Sequence, residues 1–157
     1  MSVAIFPVHG IPEIAPGDDL VAALLGGLRA SGLLLHDRDV VVVTHKVVSK
    51  AEGRIEAAPD DDAYRKLAER ESRSVLRRRG DLIISQTEHG FICANAGVDL
   101  SNAPGEDIAV LLPVDPDASA RRLYEAERLR HRLPAVVLLV LEASEVQGGR
   151  GDRAVSE

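Results

Sequence analysis

The run Val40-Val41-Val42-Val43 constrains the fold of this chain more than any other stretch. It is apolar on both faces, so it asks for cover on both sides, as a central strand between helices has. The run passes directly into Thr44-His45-Lys46-Val47-Val48-Ser49-Lys50-Ala51-Glu52-Gly53-Arg54. Lys46 and Lys50 therefore stand just beyond a buried strand, and in α/β architectures ligands collect near such strand ends.

The rest of the chain supplies strands and helices to surround that run. Val3 to Val8 reads as a first strand ending at His9-Gly10, and Ile11-Pro12-Glu13-Ile14 as an extended loop, because the residue before a proline is pushed out of the helical region. Asp18 or Asp19 caps a helix from Leu20 to about Leu28, with Leu20, Ala23, Leu24 and Leu28 on one face. Pro59 and Asp60-Asp61-Asp62 open what reads as the longest helix, to about Arg78, with Tyr64, Leu67, Ala68, Val75 and Leu76 inward. Its acidic start and Arg77-Arg78-Arg79 end complement the helix dipole, and both charge runs read as solvated helix ends. Leu82 to Ile84 and Ile108 to Leu112 are expected strands. Asp115 then caps a helix whose first residue is Pro116 and which runs to roughly Arg132, with Leu123, Ala126 and Leu129 inward. Ala135 to Leu141 is a last apolar strand, and residues 142–157 read as a loose tail.

With 157 residues, 45% apolar and 28% charged, the expected product is one mixed α/β domain over residues 1–141, its central aliphatic strands flanked by helices. Four aromatics and no Trp make the core aliphatic. The net charge of −6 argues against nucleic-acid binding, which needs a basic face. Cys93 is the one cysteine, so disulfide frameworks and multi-cysteine metal sites are excluded, and its apolar surroundings read as inert burial. No stretch reaches the roughly 18 apolar residues of a membrane span. With no secretory pattern at the N-terminus, a cytoplasmic protein is the expectation.

The richest chemistry lies in His89-Gly90-Phe91-Ile92-Cys93-Ala94-Asn95-Ala96-Gly97-Val98-Asp99-Leu100-Ser101-Asn102. Phe91 to Ala94 reads as a buried strand. Asn95-Ala96-Gly97 is small enough for close approach of a ligand or another backbone. Asp99, Ser101 and Asn102 follow, a hard oxygen donor among neutral polar groups, which suits a divalent cation carrying phosphate. The same residue types also make ordinary polar turns.

Four strings now stand in order: GIPEIAPGDDL (residues 10–20), VVVTHKVVSKAEGR (41–54), HGFICANAGVDLSN (89–102) and LLPVDPDASA (111–120). Together they resemble the gamma-glutamyl ligase family of coenzyme F420 biosynthesis, which includes the N-terminal domain of the bifunctional actinobacterial enzyme. The resemblance implies an enzyme that joins L-glutamate to a deazaflavin precursor, the chain growing through the gamma-carboxylate. GTP would be consumed to GDP and phosphate with Mg²⁺ or Mn²⁺, and with K⁺ as a further ion, through an acyl phosphate. Such chemistry asks for phosphate positioning and charge neutralisation more than for a protein nucleophile.

Residue by residue, the family's GTP-contacting positions fall on Ile11, Pro12, Glu13 and Ile14, then on His45, Lys46 and Lys50, and on Asn102. Its metal-binding aspartate falls on Asp99, which is expected beside Lys50. His45 replaces the small hydroxyl residue common at that place, and Lys46 reads equally as a solvated surface lysine. His89 is a substrate-side candidate, and no catalytic residue is assigned. The family continues past this chain with a Ser-Asp-Thr-Phe-Gly-Arg-like segment, where this sequence has Leu141-Glu142-Ala143-Ser144-Glu145-Val146. The expectation is a domain truncated on its C-terminal side, with Glu142 as the candidate replacement for the second metal aspartate. The family's homodimeric state is carried over, without nucleic acid or membrane as partner. The rival reading is an impaired family member that binds guanine nucleotide or only dimerises.

Overall fold

The computed structural model describes residues 3–36, 39–100, 107–131 and 136–139, with side chains through residue 125. In chain order its elements are α1 (Leu20–Ala30), β1 (Val41–Thr44), α2 (His45–Ala51), β2 (Ile55–Ala57), α3 (Asp61–Arg70), β3 (Ser72–Arg79), β4 (Leu82–Thr87), β5 (Ile92–Ala94), β6 (Ile108–Val110), α4 (Pro116–His131) and β7 (Val136–Leu139). The fold is mixed α/β. β1 and β7 pair in parallel, Val41 opposite Val136, while β2 and β6 pair antiparallel, Ile55 opposite Val110. β3, β4 and β5 form an antiparallel sheet in that order. No helix among the described residues is long and apolar enough to cross a membrane.

The helix starts follow local chemistry. Asp19 accepts from Ala22 N at 3.0 Å, Asp60 from Ala63 N at 2.7 Å, and Asp115 from Ala118 N at 2.8 Å. Each satisfies a backbone donor that the first turn leaves unpaired, worth about 1 kcal/mol. Pro116 occupies the first position of α4, where its missing N–H costs nothing.

Among the described residues two apolar clusters form the core. One joins Leu67 and Ala68 of α3, Ile83 of β4, Val98, Ala109 of β6, Ala58 and Leu111, with Tyr64 packed against it. The other joins Ile14, Leu20 and Val21 of α1, Val43 of β1, Val48 of α2 and Leu123 of α4. Cys93 is buried, as its apolar surroundings indicated.

Several sequence expectations are corrected. Residues 3–8 are not a strand; they run as irregular chain with Val3, Ile5 and Phe6 exposed. The third helix stops at Arg70 instead of continuing to Arg78. Ser72 Oγ donates to the Ala68 carbonyl at 2.6 Å, and the chain turns into β3. Gly80, at φ +60, makes the two-residue turn that sets Arg79 opposite Leu82. The cross-strand ladder with β4 outcompetes helical propagation, so Val75 and Leu76 end exposed rather than on an inner stripe.

β1 is not covered on both faces either: Val43 is buried, but Val42 is 52% exposed. β5 is an edge strand in its sheet in which Cys93 is buried and Ile92 faces solvent. The segment after β1 is helical, which places Lys46 and Lys50 one turn apart on α2.

β2 is tied to the end of α3 by a fork from Arg70, whose Nη1 and Nη2 donate to Glu56 Oε2 at 2.9 Å and Oε1 at 2.5 Å. The Arg70 hydrogen bond holds the Glu56 carboxyl below the usual glutamate range. A depressed carboxylate contributes stability above its unfolded pKa and loses it as pH falls through the folded value. The pair is solvent-exposed, so the contribution at neutral pH is no more than about 1 kcal/mol. Arg70→Gln should therefore lower the urea midpoint at pH 7 and leave a smaller difference from wild type at pH 3. Equal differences at both pH values would contradict this assignment.

Candidate functional site

Because α2 completes a turn every 3.6 residues, Lys46 and Lys50 share one face while Val48 points the other way, into the core. Each ammonium meets a carboxylate from a different part of the chain. Lys46 Nζ lies 2.6 Å from Asp99 Oδ2, with side chains 15% and 24% exposed. Lys50 Nζ lies 2.5 Å from Glu13 Oε1, with side chains 9% and 75% exposed. Lys46 is thus an engaged, largely buried lysine rather than a solvated one. The nitrogen paired with Asp99 belongs to Lys46, and Lys50 sits one turn further along with Glu13.

Each carboxylate is the chain neighbour of a core anchor: Glu13 precedes Ile14 in one cluster and Asp99 follows Val98 in the other. The lysine face of α2 therefore receives one carboxylate from the chain beside each cluster.

The Glu13 loop is seated by close packing. A Cβ added to Gly27 of α1 would come within 2.5 Å of Ile11 Cδ1 and 2.9 Å of Val8 Cγ1, so only glycine lets the loop lie against this helix. Gly17 N donates to the Ala51 carbonyl at 2.9 Å, and Ala15 N to Asp18 Oδ2 at 2.8 Å, which joins the loop to the end of α2. Ile14 is buried, Ile11 is partly buried, and Pro12 and Glu13 face outward.

Asp99 is delivered by an unusual turn. Asn95, Ala96 and Gly97 all have positive φ, +47°, +54° and +71°. For a residue with a Cβ this region costs roughly 1–2 kcal/mol; asparagine tolerates it and alanine does not. Asn95 Oδ1 accepts from Ile83 N at 3.0 Å, and Asn95 Nδ2 donates to Tyr64 Oη at 2.9 Å. Tyr64 Oη donates to the Val98 carbonyl at 2.9 Å, and burial pushes its phenol above the usual range. Beyond the turn, Asp99 N donates to Val110 O at 3.0 Å and Val110 N to Asp99 O at 2.7 Å, which stitches Asp99 to β6.

His45 opens α2 and is buried at 2% exposure, so its ring lies within the fold behind the lysine face. His89 Nε2 lies 2.9 Å from the Val114 carbonyl and ties two of the family-like segments together. Asn102 and Glu142 lie outside the described residues. Sequence reasoning missed Tyr64 and Asn95: Tyr64 reads as one more inward helix residue, and Asn95 only as a small permissive one. The signal was an amide-bearing residue ahead of Ala-Gly, a pattern suited to positive φ.

A cavity of about 290 Å³ lies on the other side of α2, lined by Val48, Leu20 of α1 and Leu123 of α4. Its rim carboxylate Glu52 is engaged by Ser119 Oγ at 2.5 Å and Arg122 Nη2 at 2.6 Å.

Among the described residues no group of three or more His, Cys, Asp or Glu gathers around a metal position. On the lysine face only the carboxylates of Asp99 and Glu13 could ligate a cation, and such oxygen donors suit a hard ion that completes its shell with phosphate oxygens. The ammonium groups have no lone pair to offer a metal and suit the phosphate oxygens instead.

The known proteins that this chain resembles share one family description. The family described as F420-0:gamma-glutamyl ligase matches residues 10–146. Coenzyme F420:L-glutamate ligase of Methanothermobacter thermautotrophicus is 37% identical over 140 residues, covering 78% of this chain and 55% of that protein. The protein of the same name from Methanopyrus kandleri is 36% identical over 163 residues, covering 94% and 61%. That from Natronomonas pharaonis is 39% identical over 140 residues, covering 76% and 53%. The chain thus spans 53–61% of the length of these three curated relatives.

The turn before Asp99 yields a stability test. A Cβ at Gly97 would meet Leu112 side-chain carbons at 2.9 Å, whereas one at Gly80, also at positive φ, meets nothing within 4 Å. Gly80→Ala should cost about 1–2 kcal/mol from backbone strain. Gly97→Ala should cost a further 1–3 kcal/mol or so from overpacking. Urea denaturation measures both, and equal losses would mean that Leu112 does not confine the turn.

Proposed function

Because the chain belongs to the F420-0:gamma-glutamyl ligase family, we propose that it binds GTP and a divalent cation on the lysine face of α2 and takes part in joining L-glutamate to a deazaflavin precursor of coenzyme F420. The observation that carries this reading is the pair of lysines one turn apart, each held against a carboxylate from a separate segment. In this arrangement each positive charge has a removable counter-charge. Phosphate oxygens, with more charge and more acceptors, replace the carboxylates on Lys46 and Lys50. Asp99 and Glu13 would then be available to hold a divalent cation. The arrangement is electrically balanced both before and after nucleotide binds, so no largely buried lysine is left alone.

The chemistry follows from charge placement. A carboxylate oxygen of the precursor attacks the γ-phosphorus of GTP, the bond from that phosphorus to the β-phosphate oxygen breaks, and GDP leaves. The resulting acyl phosphate is attacked at its carbonyl carbon by the neutral amine of glutamate. The amide forms, phosphate leaves, and the amine loses a proton. Lys46 and Lys50 hold the phosphates in line and offset the charge that collects on their oxygens during transfer. Mg²⁺ or Mn²⁺, when bound, would supply further neutralisation of phosphate charge. Asp99 would hold it, with Glu13 beside Lys50 as a second carboxylate. Ile11, Pro12 and Ile14 shape the wall beside Glu13, and His45 backs α2 from within.

The test is glutamylation by the full chain, supplied with precursor, L-glutamate, GTP and Mn²⁺, followed by mass spectrometry and GTP titration. A charge-assisted hydrogen bond to phosphate is worth about 1.5–3 kcal/mol, which corresponds to roughly 10–150-fold in rate or affinity. Lys50→Met should therefore weaken GTP use by about that factor, and Asp99→Asn should remove the Mn²⁺ dependence. Nucleotide binding by calorimetry without any product would leave the chain a guanine-nucleotide-binding member of the family. Neither product nor nucleotide heat would overturn the reading.

A further inference from the structure

We propose that Tyr64 and Asn95 are positioning residues for Asp99, a side-chain clamp that closes the turn before it and aims its carboxylate at the lysine face. The cation part of this inference rests on the proposed function.

Three consecutive residues at positive φ, two of them with a Cβ, do not persist unless the surroundings over-determine them. The backbone closes the turn once, through Val98 N to the Asn95 carbonyl at 3.0 Å, and Leu112 packs against Gly97. Side chains add a second bridge: Asn95 Nδ2 donates to Tyr64 Oη and Tyr64 Oη to the Val98 carbonyl, while Asn95 Oδ1 is held by Ile83 N. That bridge runs from the first residue of the turn to the residue after its last, so it spans the turn's mouth.

Every group in the bridge is used in the one role it can play. The single phenol proton goes to Val98, and the phenol oxygen accepts from Asn95. The residue after Val98 is Asp99, whose main chain is locked to Val110 in both directions. The clamp on one side and the β6 pairing on the other leave Asp99 little freedom except at its side chain, and that side chain meets Lys46. The negative charge of Asp99 also bears on the Tyr64 phenol, which places the two groups within electrostatic reach.

The Tyr64 ring packs against a core cluster independently of its hydroxyl. Removing only the hydroxyl keeps that packing. Tyr64→Phe therefore separates the clamp from the core, and Asn95→Gly removes the clamp while easing the positive φ.

Two readouts on the full chain test the proposal. The first needs no metal: amide hydrogen exchange at Asp99 and Val110, with α1 amides as an internal reference. The second is Mn²⁺ affinity, followed by electron paramagnetic resonance in the presence of a non-hydrolysable GTP analogue. Both variants should speed exchange at Asp99 and Val110 at least tenfold with the α1 amides unchanged. Both should weaken Mn²⁺ about 5- to 20-fold.

Wild-type exchange and wild-type Mn²⁺ affinity in Tyr64→Phe and Asn95→Gly would overturn the clamp. Exchange that rises equally at α1 would also overturn it, because the effect would then be global. If Tyr64→Phe does not fold, Asn95→Gly decides by the same two readouts. If the wild-type chain takes up no Mn²⁺ with the nucleotide analogue, the proposed function fails, and the exchange data still decide whether Tyr64 and Asn95 hold Asp99.

Discussion

Two ammonium groups one helical turn apart and largely withdrawn from water need counter-charge, and that requirement organises much of this molecule. Lys46 and Lys50 obtain it from Asp99 and Glu13, residues 53 and 37 positions away in the chain. Desolvation makes either lysine costly without its partner. The partners cannot be local, because α2 itself carries no acid. The fold has to bring a loop from before α1 and a turn from beyond β5 to the same helix face. Each core cluster holds one of these carboxylates by its chain neighbour, Ile14 for Glu13 and Val98 for Asp99.

The means of delivery differ on the two sides. The Glu13 loop is placed by shape: Ile11 and Val8 lie against a helix that presents Gly27 where any larger residue would collide. Asp99 is placed by backbone conformation: a left-handed turn, bound across its mouth by Asn95 and Tyr64, feeds directly into pairing with β6. The first arrangement leaves Glu13 mostly in water and the second holds Asp99 partly buried. The two carboxylates thus differ in access: the one on Lys50 stands in water, and the one on Lys46 is largely shielded.

The helix starts and the misreadings around them separate local from distant causes. Asp19, Asp60 and Asp115 cap helices through hydrogen bonds three residues away, so the order of residue types along the chain is enough to find them. The end of α3 has no such mark. Tyr64, Leu67 and Ala68 keep a helical period, and nothing in the next eight residues forbids continuing it. What stops the helix is the ladder between β3 and β4, together with the turn at Gly80. The valine run misled for a related reason: four valines describe an apolar strand, but how many of its faces are covered depends on what the rest of the fold lays against it. The short polar segment from His45 to Ala51 carries two lysines and no strong period, so its helix was not legible either.

Local hydrogen bonding and four strings of side chains in a set order are enough to give the family, the mixed α/β class, the capped starts of α1 and α4, the acidic start of α3, and the residue types that candidate phosphate and cation chemistry requires. That Lys46, not Lys50, takes Asp99, that Glu13 answers Lys50, and that Tyr64 and Asn95 close the turn emerges once the elements are packed together. Those pairings join residues 31–53 positions apart. At such separations the contact depends on packing of whole elements against two core clusters, for which no short run of residues carries a signature.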